Sequence, residues 1–271
     1  MIGINTNSAS LVAQKNLVSN SAGLQNSIAR LSSGLRVNSA RDDAAGLAIA
    51  TRMSADTRGM EVAKRNANDG ISALQVADGT LGSISDNLQR MRELAVQSAT
   101  GTLTNSDRTN LDAEFQSLSL EVTDQATKAN FNGVKLLDGS TASLTIQTGA
   151  KTGDTIAVSL TNASAAVAAT AAGAVATVAG ANTALTNIDT ALDTLNAGRA
   201  TLGAGINRLD AAVSNLSTTI TNLSAARGRI MDADFASETA SLTRSQILQQ
   251  AGTAMLAQAN QLPNNVLSLL K

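Results

Sequence analysis

IDTALDTLNAGRATLGAGINRLDAAVSNLSTTITNLSAARGRI, residues 188–230, carries apolar side chains at Ile188, Leu192, Leu195, Leu202, Ile206, Leu209, Val213, Leu216, Ile220, Leu223 and Ile230. The steps follow a 4-3 alternation, and only Arg199 and Arg227 break the seam. Such an alternation, sustained over about six heptads, marks a helix packed lengthwise against other helices. At about 1.5 Å per residue it would run roughly 65 Å. Gly198, Gly203, Gly205 and Gly228 lie inside it. Each costs a helix about 1 kcal/mol against alanine, so they read as places of close packing or bending.

A matching seam lies in the other half of the chain. Met60, Ala63, Ala67, Gly70, Leu74, Ala77, Leu81, Ile84, Leu88, Met91 and Ala95 follow the same alternation. After Gly101, the stretch Thr104-Asn105-Ser106-Asp107 offers caps for a shorter helix reaching Lys128, with Leu111, Phe115, Leu118 and Val122 as its apolar face. Asn132-Gly133 is a turn signal. Near the ends, Leu17, Leu24, Ile28, Leu31 and Leu35 form one seam. Leu248, Met255, Leu262 and Leu269 repeat at seven, with Ala259 and Val266 between. Pro263 should kink or interrupt this last helix.

Between the two long seams the period changes to two. Leu144, Ile146, Ile156, Val158 and Leu160 alternate with polar residues about Lys151-Thr152-Gly153-Asp154, which predicts a β-hairpin at about 143–161. The run at about 162–184 is low-complexity, dominated by small residues. It lacks a seam, so residues 163–181 are expected to bury little and to be replaceable by a linker. The fold class is therefore mainly α: a long antiparallel coiled-coil-like bundle with a small central hairpin and terminal helical arms in a separate layer. The arms are assigned to residues 1–42 and 231–271, and the body to 43–230. Two isolated arms bury too little to offset about 1–2 kcal/mol of backbone entropy per residue, so they are expected to order on assembly.

Composition excludes several chemistries. The chain of 271 residues has no Cys, His, Trp or Tyr, three Phe, and a net charge of −1. The usual zinc ligands and the nucleophile–histidine arrangements are missing, and no disulfide is possible. Near-zero charge without aromatic platforms argues against nucleic-acid binding. No apolar stretch is long enough to span a membrane, and the N-terminal segment lacks the pattern of a cleaved secretory signal. Asp42-Asp43 is a poor acid/base pair, because adjacent residues on a helix diverge, and helix capping accounts for it better. Asp232-x-Asp234 with Glu238 lacks the turn glycine and spacing of a calcium loop. Gly203-x-Gly205 lacks the third glycine of a nucleotide fingerprint. No catalytic, cofactor or metal residue is assigned, and no enzyme activity is expected.

Longer motifs point to a family. LSSGLRVNSARDDAAGLAIA (31–50), RNANDGISALQVADG (65–79), LQRMRELAVQSA (88–99), FNGVKLLDG (131–139) and RIMDADFASETASLTRSQILQQAGTAMLAQANQLPNNVLSLL (229–270) resemble bacterial flagellin. The resemblance covers roughly 1–140 and 185–271, with only the hairpin and small-residue run between, as in a minimal type without large outer domains. It implies a filament subunit of the extracellular bacterial flagellum, active in motility and exported by the flagellar type III apparatus. The implied partners are copies of itself, an export chaperone on the C-terminal segment, hook-junction and cap proteins, and the host flagellin-sensing Toll-like receptor. By the same resemblance Arg41, Asp42, Asp43, Asp232 and Asp234 belong to the connector between arm and body. Leu24, Ile28, Leu31, Leu35, Leu248, Met255, Leu262 and Leu269 pack the inner tube. Gln89, Arg90, Leu94, Gln97 and Glu114 match the receptor-contact motif, with Arg90 and Leu94 one turn apart on one helix face and Glu114 on the next helix; the other reading is an Arg90–Glu114 pair between body helices or across subunits, and both can hold together. A flagellin-like hook–filament junction protein and a soluble coiled-coil scaffold are the alternatives.

Overall fold

The structure, a computed structural model, describes residues 6–268, with side chains through Gln261. Leu269 therefore lies outside the described residues, as does the side chain of Leu262. Along the chain come α1 (Ser8–Ser33), α2 (Ala44–Ala99), α3 (Asn105–Lys128), β1 (Asn130–Phe131), β2 (Val134–Lys135), β3 (Ser143–Gln147), β4 (Thr155–Ser159), α4 (Ala163–Ala171), α5 (Val178–Met231) and α6 (Phe235–Ser268). The fold is mainly helical. It divides into two compact units, one built from the chain up to Ala55 and from Thr221 onward, the other from Asp56–Ile220.

The Asp56–Ile220 unit is held by the seams read from the sequence. Leu74, Ala77, Leu81, Ile84, Leu88 and Met91 of α2 are fully buried, as are Ile188, Leu195, Leu202 and Leu209 of α5. Each such leucine or isoleucine is worth about 1.5–3 kcal/mol. Ion pairs order the helices: Arg92–Asp189 at 2.8 Å and Arg199–Asp78 at 2.9 Å join α2 to α5 in antiparallel sense. α3 begins in the stretch expected to cap it, with a capping box in which Thr104 and Asp107 satisfy each other's backbone N–H. It then buries Phe115, Val122 and Ala126. Arg108, 7% exposed, donates to the carbonyls of Ser98 (3.0 Å) and Thr100 (2.8 Å), capping the end of α2 with a positive charge.

The deepest stripe of α5 differs from the expected one by a residue at alternate positions. Ala191, Gly198 and Gly205 are buried, while Leu192 and Ile206 are half-buried and Arg199 is exposed. At Gly205 the cause is the hairpin. β3 and β4 pair from Ser143↔Ser159 to Gln147↔Thr155, and Ile146 and Val158 turn inward. A Cβ on Gly70 of α2 would stand 2.3 Å from Ile146 Cδ1, and one on Gly205 would stand 2.7 Å from Val158 Cγ1. Those two helical glycines make room for the strands. A second tight hairpin joins β1 to β2 through Asn132 (φ 49°) and Gly133 (φ 82°), the positive angles that Asn-Gly accommodates.

The small-residue run does not stay loose, which corrects the expectation of little burial. Asn162 caps α4, and Ala163, Val167, Thr170, Val175, Ala181 and Ala184 are buried. Gln116 of α3 donates to the Gly173 carbonyl at 2.8 Å, Asp112 accepts from the Val175 N–H at 2.7 Å, and Asn187 of α5 donates to the Ala169 carbonyl at 3.1 Å. Small side chains let this segment approach α3 and α5 closely enough for these backbone bonds. Among the described residues no buried side-chain nitrogen or oxygen lacks a partner.

Candidate functional site

In the other unit α1 and α6 pair antiparallel. Ser10, Ala13, Leu17, Asn20, Leu24, Ser27 and Leu31 face Glu238, Leu242, Ser245, Gln249, Gly252, Leu256 and Ala259, all at least half-buried and in 3-4 alternation. Much of this seam is polar. Asn20 donates to the Ser245 carbonyl at 2.7 Å, Ser10 to the Asn260 side chain at 2.9 Å, and Arg30 lies 3.8 Å from Glu238.

The larger apolar residues mostly face away from that seam. Leu11, Val12, Val18 and Ile28 of α1 are 57%, 59%, 70% and 51% exposed; Ile247, Leu248 and Met255 of α6 are 60%, 52% and 67% exposed. Of the residues expected to pack the inner tube, Leu24, Leu31 and Leu35 are half-buried within the subunit, whereas Ile28, Leu248 and Met255 stay open. A groove of about 450 Å³ runs between the helices, lined by Val12, Leu17, Asn20, Leu248, Gly252 and Met255 among others. α6 is continuous to Ser268, so Pro263 does not interrupt it.

The segments expected to connect arm and body are ordered within the subunit. Gly34 ends α1 in the left-handed conformation, its N–H bonded to the Arg30 carbonyl at 2.8 Å. Leu35 and Asp232 then form an antiparallel bridge, in which Arg36 N–H donates to the Met231 carbonyl (2.6 Å) and Ala233 N–H to the Gly34 carbonyl (3.0 Å). The Arg36 guanidinium donates to the Ile230 carbonyl at 2.5 Å, capping α5. Asp42 accepts from the backbone N–H groups of Asn38 (3.2 Å) and Ser39 (2.9 Å) and from the Ser39 hydroxyl (2.9 Å). The Ser39 hydroxyl, then the Ser39 and Asn38 amides, hold its carboxyl below the ordinary aspartate value. Asp43 accepts from Gly46 N–H at 2.8 Å at the start of α2, and Asp234 accepts from Ala236 N–H at 2.9 Å at the start of α6. Arg41 and Asp232 are exposed. Each aspartate with a bond thus serves a turn or a cap, and among the described residues no cluster of three acidic groups is placed to hold a metal.

On the Asp56–Ile220 unit, Gln89, Arg90, Gln97 and Glu114 are exposed. Arg90 pairs with Glu93 at 2.8 Å and Glu114 at 2.9 Å, which raises its already high pKa. Leu94, one turn along α2 from the exposed Arg90, is 1% exposed and belongs to the core. A turn of four residues advances about 400°, and here the extra 40° carries Leu94 inward.

Comparison with known proteins decides the family. The bacterial flagellin N-terminal helical region matches residues 4–142, and the C-terminal helical region matches 185–270. The chain belongs to the bacterial flagellin family. It is similar to a flagellin of Xenorhabdus nematophila, 43% identical over 309 aligned positions that cover 99% of each chain. A flagellin of Halalkalibacterium halodurans is 44% identical over 270 positions, again 99% of each. The crystal structure of Bacillus cereus flagellin superposes with a TM-score of 0.52 at 37% identity, covering 60% of this chain and 94% of that one.

The flagellin motifs led to the aspartates but not to Arg36, Arg108 or the polar α1–α6 seam. A basic residue just beyond an αL glycine and one in the first turn after a capping box were the available signals for the two arginines. The polar seam shows in the sequence only when serine and asparagine are admitted to the heptad count.

Proposed function

We infer that this chain is a structural subunit of the bacterial flagellar filament and assembles with copies of itself through the outer faces of α1 and α6. The observation that carries this reading is the apolar surface that this helix pair leaves open. Its inner seam alternates leucines with Asn, Ser, Gln and Glu, while among the described residues eight large apolar side chains of the two helices lie open. Exposed apolar surface on this scale marks an interaction face. The arms 1–42 and 231–271 form the inner layer and residues 43–230 the body. The connector aspartates hold the passage between the layers. Neighbouring subunits supply the burial that the polar seam withholds, so arm stability is coupled to assembly.

The remaining partners follow from the family reading. We propose export through the flagellar apparatus, a chaperone on the C-terminal segment, contacts with hook-junction and cap proteins, and a working location outside the cell. Gln89, Arg90, Gln97 and Glu114 form the face offered to the flagellin-sensing Toll-like receptor, with Leu94 holding that helix from within.

Seeded growth tests the assembly face. Leu248→Asp and Met255→Asp should leave the free subunit as helical as the parent, because both side chains are already in solvent. Each should block elongation, because assembly would bury an unpaired charge. Normal elongation by both variants would refute the reading. A parent that forms only small discrete oligomers on filament seeds would favour a soluble coiled-coil scaffold.

A further inference from the structure

α6 runs from Phe235 to Ser268 although it contains Pro263, the one proline of the chain. Proline has no amide hydrogen, so the carbonyl four residues earlier, that of Ala259, receives no bond along the helix. Ala259 is 8% exposed, so its carbonyl needs a partner from the protein. Asn7 provides one: its Nδ2 donates to the Ala259 carbonyl at 2.8 Å. The Oδ1 of the same side chain accepts from Ser10 N–H at 3.1 Å and caps α1. The donor and acceptor halves of one amide are thus both engaged, in the only orientation that satisfies both. The neighbouring Ser10–Asn260 bond, 2.9 Å, braces the same level.

We propose that Asn7 supplies the hydrogen-bond donor that Pro263 withholds from α6, and that this match fixes the axial register of α1 against α6. The rest of the seam is permissive. It alternates leucines with small polar residues at heptad spacing, and a slip by one heptad restores similar pairings. A single polar match inside a heptad seam is a known means of setting register. Here the match is specific because Ala259 has the one interior helix carbonyl opposite which the sequence places a proline. The proposal concerns pairing within one subunit and does not depend on the filament reading.

The chain has no cysteine, so engineered pairs report register directly. A Cβ at Gly252 lies 2.8 Å from Leu17 Cδ1, so Leu17→Cys with Gly252→Cys reports the observed register. Leu17→Cys with Ser245→Cys reports a one-heptad slip. Both pairs are oxidised in a glutathione buffer, in the full-length chain both free and after incubation with filament seeds, and the ratio of the two yields is measured. Four backgrounds are compared: parent, Asn7→Ser, Pro263→Ala and both together. Serine still caps α1 but is too short to serve both partners. Asn7→Ser should lower the ratio about tenfold, the effect of leaving a buried carbonyl unpaired. In the Pro263→Ala background the same change should alter it less than twofold, because the substituted residue carries an amide hydrogen for the Ala259 carbonyl. An equal loss in both backgrounds would reduce Asn7 to a helix cap and overturn the proposal. So would an unchanged ratio in the parent background, or a parent with no preference for the Leu17–Gly252 pair. If the predicted coupling is found while the parent fails to elongate seeds, the register holds and the filament reading fails.

Discussion

Gly203→Ala and Gly205→Ala should change stability in opposite directions, although the two sites lie two residues apart on one helix. Alanine in place of a helical glycine gains about 1 kcal/mol at either site. At Gly203 nothing lies within 4 Å of an added Cβ, so the whole gain should appear. At Gly205 the Cβ would stand 2.7 Å and 2.9 Å from the two methyls of Val158 and 3.4 Å from Leu74 Cδ1. Val158 is 3% exposed and Leu74 fully buried, so neither can swing into solvent. Overpacking of this kind costs about 1–3 kcal/mol. Taking about 2 kcal/mol, the net effect at Gly205 is a loss of about 1 kcal/mol, and the variants differ by about 2 kcal/mol. For a chain of this size that separates their thermal midpoints by about 4–8 °C. Far-ultraviolet circular dichroism of the full chain on heating reads the difference. A Gly205→Ala midpoint raised as far as that of Gly203→Ala would show that the hairpin does not depend on the glycine, and the account of the α5 stripe would fall.

Leu94→Ala should cost about 2–5 kcal/mol of stability, as a core truncation does, and denaturant unfolding would read it. Arg90→Ala should leave stability nearly unchanged, since exposed ion pairs contribute little, yet weaken receptor signalling by the monomer; an unchanged response would remove Arg90 from the contact. Replacing residues 163–181 with a Gly/Ser linker should lower the urea midpoint, because Val167 and Val175 each lose about 1.5–3 kcal/mol of burial and Gln116 and Asp112 lose their backbone partners; an unshifted midpoint would mean the run is a bystander. The turn at Asn38–Asp42 should respond to acid. The folded-state pKa of Asp42 is lowered, so its contribution is present above the ordinary aspartate value and is lost as pH falls through the depressed value. The Ser39 amide resonance should follow that titration at low pH, and in Asp42→Asn the titration should vanish.

Helix content, the capping box at Thr104 and Asp107, the hairpin and the Asn132-Gly133 turn were legible because each rests on local chemistry. Periodicity found α2 nearly residue by residue, since its buried stripe is made of leucine, isoleucine and alanine. In α5 it found Ile188, Leu195, Leu202 and Leu209 but preferred Leu192 and Ile206 to the glycines and alanine beside them. A count of apolar side chains favours large residues, whereas the closest approach of two backbones favours those with no side chain in the way. The same bias hid α4, whose alanines and valines pack tightly without any bulky anchor. The α1–α6 seam was partly hidden for a different reason. Its inner positions alternate leucines with Ser, Asn, Gln and Glu, so the hydrophobic pattern found Leu17, Leu24 and Leu31 but passed over the polar residues between them, and in α6 it picked Leu248 and Met255, which the subunit leaves open. Asp42, Asp43 and Asp234 were singled out by motif, but their bonds to Ser39, Gly46 and Ala236 became visible only with the backbone in place.

The bridge between Leu35 and Asp232 also has a mechanical meaning. Its hydrogen bonds, from Arg36 to Met231 and from Ala233 to Gly34, lie across two antiparallel chain segments nearly two hundred residues apart in sequence. A pull along either segment loads those bonds in shear, so they share the tension instead of opening one after another. Because they join backbone to backbone, drift in the side chains at these positions leaves the joint intact. A proline at position 36 or 233 would cut it, and the ends of α1 and α5 would then carry load separately.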